Sequence, residues 1–224
     1  MIVKIKRQSA PDSQAYWQTF EYTGSKHVTV SAILDALNYT DDLFDIDGKP
    51  APRIRWECSC MQAMCGGCAM VINGVPALAC ATFADEVKGN DLVLEPLSKF
   101  PVVADLIVDR SIIYEQLIHA QAYLDQIAVS GKDQYKHQYS VAKCLKCGLC
   151  LEVCPNYRPG GEFFGAVLAN ESYLLASQSA DPNPQIVKEY KTHFGAGCSK
   201  ALSCQSVCPM EIETITSIMK MNRK

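Results

Sequence analysis

The chain has 224 residues, of which 48% are hydrophobic and 20% charged, with a formal net charge of −3 at pH 7. That composition suits a globular protein with a real core, in one large domain or two of about 100 residues each. It argues against a disordered chain, and the slight negative charge gives no case for nucleic-acid binding or strong attraction to an anionic membrane.

The opening "MIVKIKRQSAPDSQ" alternates apolar and charged residues and has no apolar signal-peptide core. "IVKIKRQ" and "YWQTFEYT" read as a strand pair, and "TVSAILDALNYTDDLF" as a helix capped by Thr29 or Ser31, with Ile33, Leu34 and Leu37 on one face. "RIRW" reads as a short strand. "AMVINGVPALAC" reads as a hairpin, since Asn73-Gly74 tolerates positive φ at both turn positions. "DLVLEP" would close the sheet, so residues 1–103 are expected to form a β-grasp, ferredoxin-like domain.

After "LSKFPVV" the apolar period becomes helical, and residues 104–224 are expected to form a mainly α domain, giving an α+β protein. "VADLIVDRSIIYEQLIHAQAYLDQIA" places Leu106, Ile113, Leu117 and Leu124 near one stripe. "GEFFGAVLANESYLLASQ" and "MEIETITSIMKMNRK" read as further helices, and "ADPNPQ" as a loop. No apolar stretch is long enough to span a bilayer, so contact with a membrane would go through a partner.

Twelve cysteines fall in clusters. With no export signal and a chain large enough for a core, clustered cysteine points to metal rather than disulfides. Cys60, Cys65, Cys68 and Cys80 have the spacing Cys-x4-Cys-x2-Cys-x11-Cys, the plant-type [2Fe-2S] pattern. Gly66, Gly67 and Ala69 are small enough for backbone N–H groups to approach the sulfides. A zinc knuckle, the alternative, usually offers two short Cys pairs, and the four-residue gap fits it poorly. Cys58 lies outside the spacing and reads as an ordinary buried or spare thiol.

"CLKCGLCLEVCP" carries Cys144, Cys147, Cys150 and Cys154 in the bacterial ferredoxin run, whose fourth cysteine ligates the other cluster of a pair. "CSKALSCQSVCP" repeats it with Cys198, Cys204 and Cys208, but Ala201 stands where the second cysteine belongs. Crossed ligation then gives a [4Fe-4S] cluster to Cys144, Cys147, Cys150 and Cys208. It leaves Cys154, Cys198 and Cys204 for a second cluster with one thiolate missing. Three thiolates suit [3Fe-4S]; the alternative is a [4Fe-4S] cluster with water at its fourth iron. There is no nucleotide-binding glycine fingerprint and no catalytic triad or paired-carboxylate pattern. His27, His119, His137 and His193 read as surface or packed residues.

Three cysteine groups in this order, with "LEPLSKFPVVADLIVDRSIIYEQL" between them, resemble the iron–sulfur subunits of succinate dehydrogenase and fumarate reductase over essentially the whole chain. The resemblance implies an electron-transfer subunit of an oxidoreductase complex. Its [2Fe-2S] cluster would face a flavoprotein partner whose FAD interconverts succinate and fumarate, so the catalytic site lies on that partner. Its [3Fe-4S] cluster would face a quinone, and membrane-anchor partners would hold it on the cytoplasmic face of the inner membrane. Ubiquinone-linked members carry a tryptophan where this chain has Pro159 and a histidine where it has Ser199, which points to a menaquinone or a soluble donor. Two other readings are a similar subunit serving another flavoprotein oxidoreductase and a zinc-stabilised scaffold.

Overall fold

The computed structural model describes residues 1–124, 127–129, 135–179 and 183–224, and they divide into two compact units, Met1–Asp109 and Arg110–Lys224. The division falls past the 103/104 boundary read from the sequence.

In the first unit, β1 (Ile2–Arg7), β2 (Tyr16–Glu21), β5 (Ala69–Ile72), β6 (Val75–Leu78) and β7 (Leu92–Glu95) form one sheet in the order β2-β1-β7-β5-β6. Alternation along β1 buries Val3, Ile5 and Arg7 on one face, and α1 (Val30–Asn38) covers the sheet with Ile33, Leu34 and Leu37. Thr29 caps α1, its Oγ1 accepting from Ala32 N at 3.3 Å, while Ser31 lies buried inside the helix. The hairpin forms as expected: Asn73 and Gly74 have φ of 46° and 79°, and β5 and β6 pair antiparallel. Two short strands, β3 (Leu43–Phe44) and β4 (Pro50–Ala51), pair with each other, and Ile46 N between them donates to Thr19 O of β2 at 2.9 Å.

Several expectations need correction. "DLVLEP" does not close the sheet: β7 lies at its centre, parallel to β1 and antiparallel to β5. Alternation identifies a strand but not its neighbours, which here are distant in sequence. "RIRW" is not a strand, because side chains take its backbone bonds. Asn38 Oδ1 accepts from Ile54 N at 2.8 Å, Asn38 Nδ2 donates to Ile54 O at 2.8 Å, and Asp105 Oδ2 accepts from Arg55 N at 2.9 Å. Residues 104–109 are not helical either. They form the turn and second strand of a small pair, β8 (Val102–Ala104) and β9 (Ile107–Val108). Asp105 sits at that turn with φ 47°, its buried carboxylate accepting from Gln8 N at 2.9 Å and lying 3.1 Å from Arg7 Nε. Periodicity over a few apolar residues could not register those polar anchors.

The second unit contains α2 (Ser111–His119), α3 (Tyr135–Ala142), α4 (Leu149–Glu152), α5 (Gly165–Gln178), α6 (Pro184–Tyr190), a π-helical turn (Lys191–Gly195), α7 (Ser203–Ser206) and α8 (Thr214–Met221). α5 is its axis, buried from Gly165 to Ala176 on nearly every side, with α8 laid against it through Ile218 and Met221. Gly165 has φ 73°, and a Cβ there would sit 2.4 Å from Leu151 Cδ2, so only glycine lets α5 start against α4. α2 is shorter than the sequence stripe: Ile113 is buried, Leu117 half-buried and Leu124 exposed. "ADPNPQ" is not all loop. Asn183 Oδ1 caps α6 by accepting from Gln185 N, and Pro184 occupies its first turn. Residues 180–182 of that stretch, and 125–126 of the predicted long helix, lie outside the described residues. α3 was not anticipated. Among the described residues no helix is long and apolar enough to cross a membrane.

Candidate metal centres

The loop before β5 places Cys60, Cys65 and Cys68, and the short turn after β6 (Ala79–Ala81) places Cys80. Ala79 N donates to Cys68 O at 3.1 Å, which locks the two strand ends together and brings Cys68 Sγ to 3.3 Å from Cys80 Sγ. The loop coils through left-handed conformations at Met61, Ala63 and Gly66, with φ of 54°, 56° and 75°. Coiling turns backbone amides onto sulfur. Gln62 N and Met64 N donate to Cys60 Sγ at 3.3 and 3.2 Å, Ala63 N to Cys80 Sγ at 3.3 Å, and Gly67 N to Cys65 Sγ at 3.4 Å. These amides bring the Cys60 thiol down to about 7, whereas burial pushes Cys68 up to about 12. Cys58 is exposed and lies near Cys65 and Cys80; its thiol is raised by burial first, then by Asp35 and those two sulfurs.

In the second unit the two ferredoxin-like runs adopt the same backbone. Lys146 and Lys200 both have positive φ, 53° and 58°, and so do Gly148 and Leu202, 86° and 59°. Gly148 and Leu202 each cap a one-turn helix, α4 and α7, whose second residues are Cys150 and Cys204. Ala201 thus keeps the place in the loop that Cys147 has in the other run, without its sulfur.

Cys144, Cys147, Cys150 and Cys208 line one cavity, with Cys204, Val167, Asn170 and Ile212 also in its wall. Burial pushes Cys147 up to about 11, and Cys144 and Cys208 add to it. Cys150 is raised well above the usual thiol range by burial first, then by Cys147, Cys144, Cys204 and Cys208. Cys204 stands at about 11 through burial, then through Cys154 and Cys198. Cys204 therefore neighbours both groups: it shares the cavity wall with Cys144, Cys147, Cys150 and Cys208, and it feels Cys154 and Cys198. Lys200 N donates to Cys198 Sγ at 3.4 Å, and Ser199 Oγ to Asn156 Oδ1 at 2.8 Å.

Such packing of thiols suits metal. Close, buried sulfurs cannot all ionise unless a cation supplies compensating charge, and metal coordination deprotonates a thiol outright. Positive charge and amide dipoles are also aimed at these groups. Lys146 pairs with Glu171 of α5; burial alone would lower its ammonium, but Cys144 and Glu171 carry it above its ordinary value. Arg110 Nη1 donates to Cys147 O at 3.4 Å. No spacing rule finds Lys146, Glu171 or the left-handed residues. Only the recurrence of lysine after the first cysteine of both runs could have drawn notice.

Two family models match the chain: a 2Fe-2S iron–sulfur cluster binding domain over residues 2–115 and a 4Fe-4S dicluster domain over 140–212. The succinate dehydrogenase iron–sulfur subunit of Bacillus subtilis is 30% identical, over 98% of this chain and 90% of its own length. The fumarate reductase iron–sulfur subunit of Escherichia coli O6:H1 is 29% identical over 95% and 85%, and that of Wolinella succinogenes 26% over 100% and 95%. A chain of the Mycobacterium smegmatis Sdh1 complex in the apo form superposes with a TM-score of 0.77 at 22% identity, over 100% of this chain and 96% of that one. That likeness is one of fold.

Proposed function

The chain belongs to the iron–sulfur subunit family of succinate dehydrogenase and fumarate reductase, and we infer that it relays single electrons between the FAD of a flavoprotein partner and a quinone. It does so as the electron-transfer subunit of the complex, with the dicarboxylate chemistry on the flavoprotein. Cys60, Cys65, Cys68 and Cys80 hold a [2Fe-2S] cluster; Cys144, Cys147, Cys150 and Cys208 a [4Fe-4S] cluster; Cys154, Cys198 and Cys204 a [3Fe-4S] cluster. The observation that supports this reading is the close approach of the sulfurs, Cys68 and Cys80 at 3.3 Å and cysteines of both ferredoxin-like runs in one cavity wall, with the second run repeating the backbone of the first and carrying Ala201 in place of Cys147.

Bound clusters supply one-electron redox chemistry, and the protein tunes and insulates it. Amides of Gln62, Ala63, Met64 and Gly67 stabilise charge at the sulfurs they reach. Lys146 sets a positive charge beside Cys144. The quinone in this reading is of the menaquinone type, supported by Pro159 and by Ser199, whose hydroxyl is committed to Asn156. Membrane attachment falls to anchor subunits, with the chain on the cytoplasmic face of the membrane.

Redox-titrated EPR of the purified complex tests this. The reading requires about nine irons per chain, a rhombic [2Fe-2S] signal on reduction and an oxidised three-iron signal. A colourless, zinc-loaded, iron-poor chain would overturn it.

A further inference from the structure

Away from the cysteines, three side chains of the second unit converge: His119 at the end of α2, Glu189 in α6 and His193 in the π-helical turn. Their ligand atoms all lie within 4.8 Å of one another. Glu189 and His193 are buried, whereas His119 is 61% exposed at its side chain. His193 Nδ1 is 2.7 Å from Glu162 O, a carbonyl that can only accept, so Nδ1 carries the proton in that bond. Nε2 then turns its lone pair toward Glu189 Oε2, 3.2 Å away. Two acceptors that close repel unless something positive lies between them. His119 Nε2 approaches the same oxygen at 3.8 Å, while Gln185 Nε2 donates to the other oxygen, Oε1, at 2.5 Å. The exposed Glu162 carboxylate, 3.6 Å from His193 Nδ1, adds negative charge to the neighbourhood.

We propose that His119, Glu189 and His193 bind a divalent transition-metal ion of the zinc class through His119 Nε2, Glu189 Oε2 and His193 Nε2. Zinc holds nitrogen and oxygen ligands at about 2.0–2.2 Å, which puts tetrahedral ligand atoms about 3.3–3.6 Å apart. Glu189 Oε2 lies 3.2 Å from His193 Nε2 and 3.8 Å from His119 Nε2, which bracket that range. Rings and second shell are already ordered for it. Phe164 stacks on His193 with centroids 4.1 Å apart, and the two imidazoles stand nearly perpendicular, at 85°. Glu162 O fixes the His193 tautomer and Gln185 orients the carboxylate, the kind of outer support metal ligands receive. The exposed side of His119 leaves a fourth position to water. The π-helical widening that carries His193 is a feature often found at functional sites. Occupancy would tie α2 to the segment leading to Cys198, whose N–H donates to Phe194 O at 3.2 Å.

The test uses the intact complex, cleared of loose metal with a mild chelator, its clusters checked by iron content and visible absorption. Zn2+ is titrated against a chromophoric indicator, and the zinc K-edge is recorded. We expect one site per chain that weakens at least tenfold in both His119→Ala and Glu189→Gln, with cluster absorption unchanged and only nitrogen and oxygen neighbours at zinc. Because His119 is exposed, its variant keeps the fold. Equal zinc binding in wild type and both variants, sulfur at about 2.3 Å from zinc, or no binding because a proton joins Glu189 to His193, would each overturn the proposal.

Discussion

Gly148 and Leu202 hold the same left-handed conformation, φ 86° and ψ −10° against φ 59° and ψ 6°, each opening a one-turn helix inside a cysteine run. Their carbonyls accept equivalent bonds: Leu151 N and Glu152 N onto Gly148 O, both at 3.0 Å, and Gln205 N and Ser206 N onto Leu202 O at 2.9 and 3.2 Å. The two runs are one backbone device used twice, and only one has glycine where the conformation asks for it. A leucine in that region costs about 1–2 kcal/mol. Leu202→Gly is therefore expected to stabilise the protein by up to about 1 kcal/mol, after the entropy that glycine adds to the unfolded chain. Gly148→Ala is expected to destabilise by about 1 kcal/mol. Thermal melting of the two variants under anaerobic conditions checks both signs.

Because the loop around Ala201 already has the conformation of the loop around Cys147, a sulfur is all that residue 201 lacks. Ala201→Cys should raise the iron content by about one per chain, remove the oxidised three-iron EPR signal and lower the potential of that centre. Quinone-linked turnover should fall with it. Iron assay and redox-titrated EPR on the same sample give the answer, and an unchanged three-iron signal would count against the ligand set.

Lys146 and Glu171 form a mostly buried pair beside Cys144. Lys146→Met leaves the Glu171 carboxylate without its partner and should cost about 2–4 kcal/mol. With Glu171→Gln added, much of that loss should return, yet the [4Fe-4S] potential should stay below wild type, since the positive charge near the cluster is gone. Potentiometry separates the electrostatic effect from the structural one.

Asn38 holds both backbone groups of Ile54, on the segment that leads to Cys60. Asn38→Ala orphans a donor and an acceptor that the surrounding sheet cannot re-satisfy, at a cost of about 2 kcal/mol. Its melting temperature should drop, and the [2Fe-2S] cluster should be lost on heating before the other two, read by EPR of quenched samples.

Removing iron exposes the thiols to titration. Amide donation brings Cys60 down to about 7, below the ordinary thiol range, so its thiolate is present in the apo form near neutral pH. A depressed folded value contributes stability that is complete above the unfolded value near 9 and is lost as pH falls through about 7. Iodoacetamide should therefore label Cys60 first in apo protein, with a half-maximal rate near pH 7, while Cys68, pushed up by burial, stays unlabelled. Mass spectrometry after brief labelling follows both residues, and the iron-loaded protein should protect all four cysteines around the hairpin.

Much of the cluster chemistry was legible because cysteine spacing is a local, covalent property: Cys60 to Cys68 and Cys144 to Cys154 each lie within one short stretch of chain. Asn73-Gly74 and Thr29 were legible for the same reason, since a turn and a cap are decided within four residues. The stretch around Asp105 was not. Its apolar neighbours fit a helical period, but its carboxylate is claimed by Arg7, Gln8 and Arg55, and no local pattern records a partner so far away in the chain. The alternation of β7 identifies a strand but not its place at the centre of the sheet, as alternation says nothing about which strands lie on either side.

The histidines show the same divide at a finer scale. Glu189 and His193 are four residues apart, and a sequence reader could pair them on one helical face. That His119 arrives from another helix, and that Glu162 O settles which nitrogen of His193 is bare, depends on packing around Phe164. By itself the order of residues determined where sulfur is supplied and where it is withheld, because each thiol's loop partners are its chain neighbours. Tertiary structure alone decided which distant sulfurs, amides and charges face one another, because those encounters are set by how α5 and the central sheet are buried.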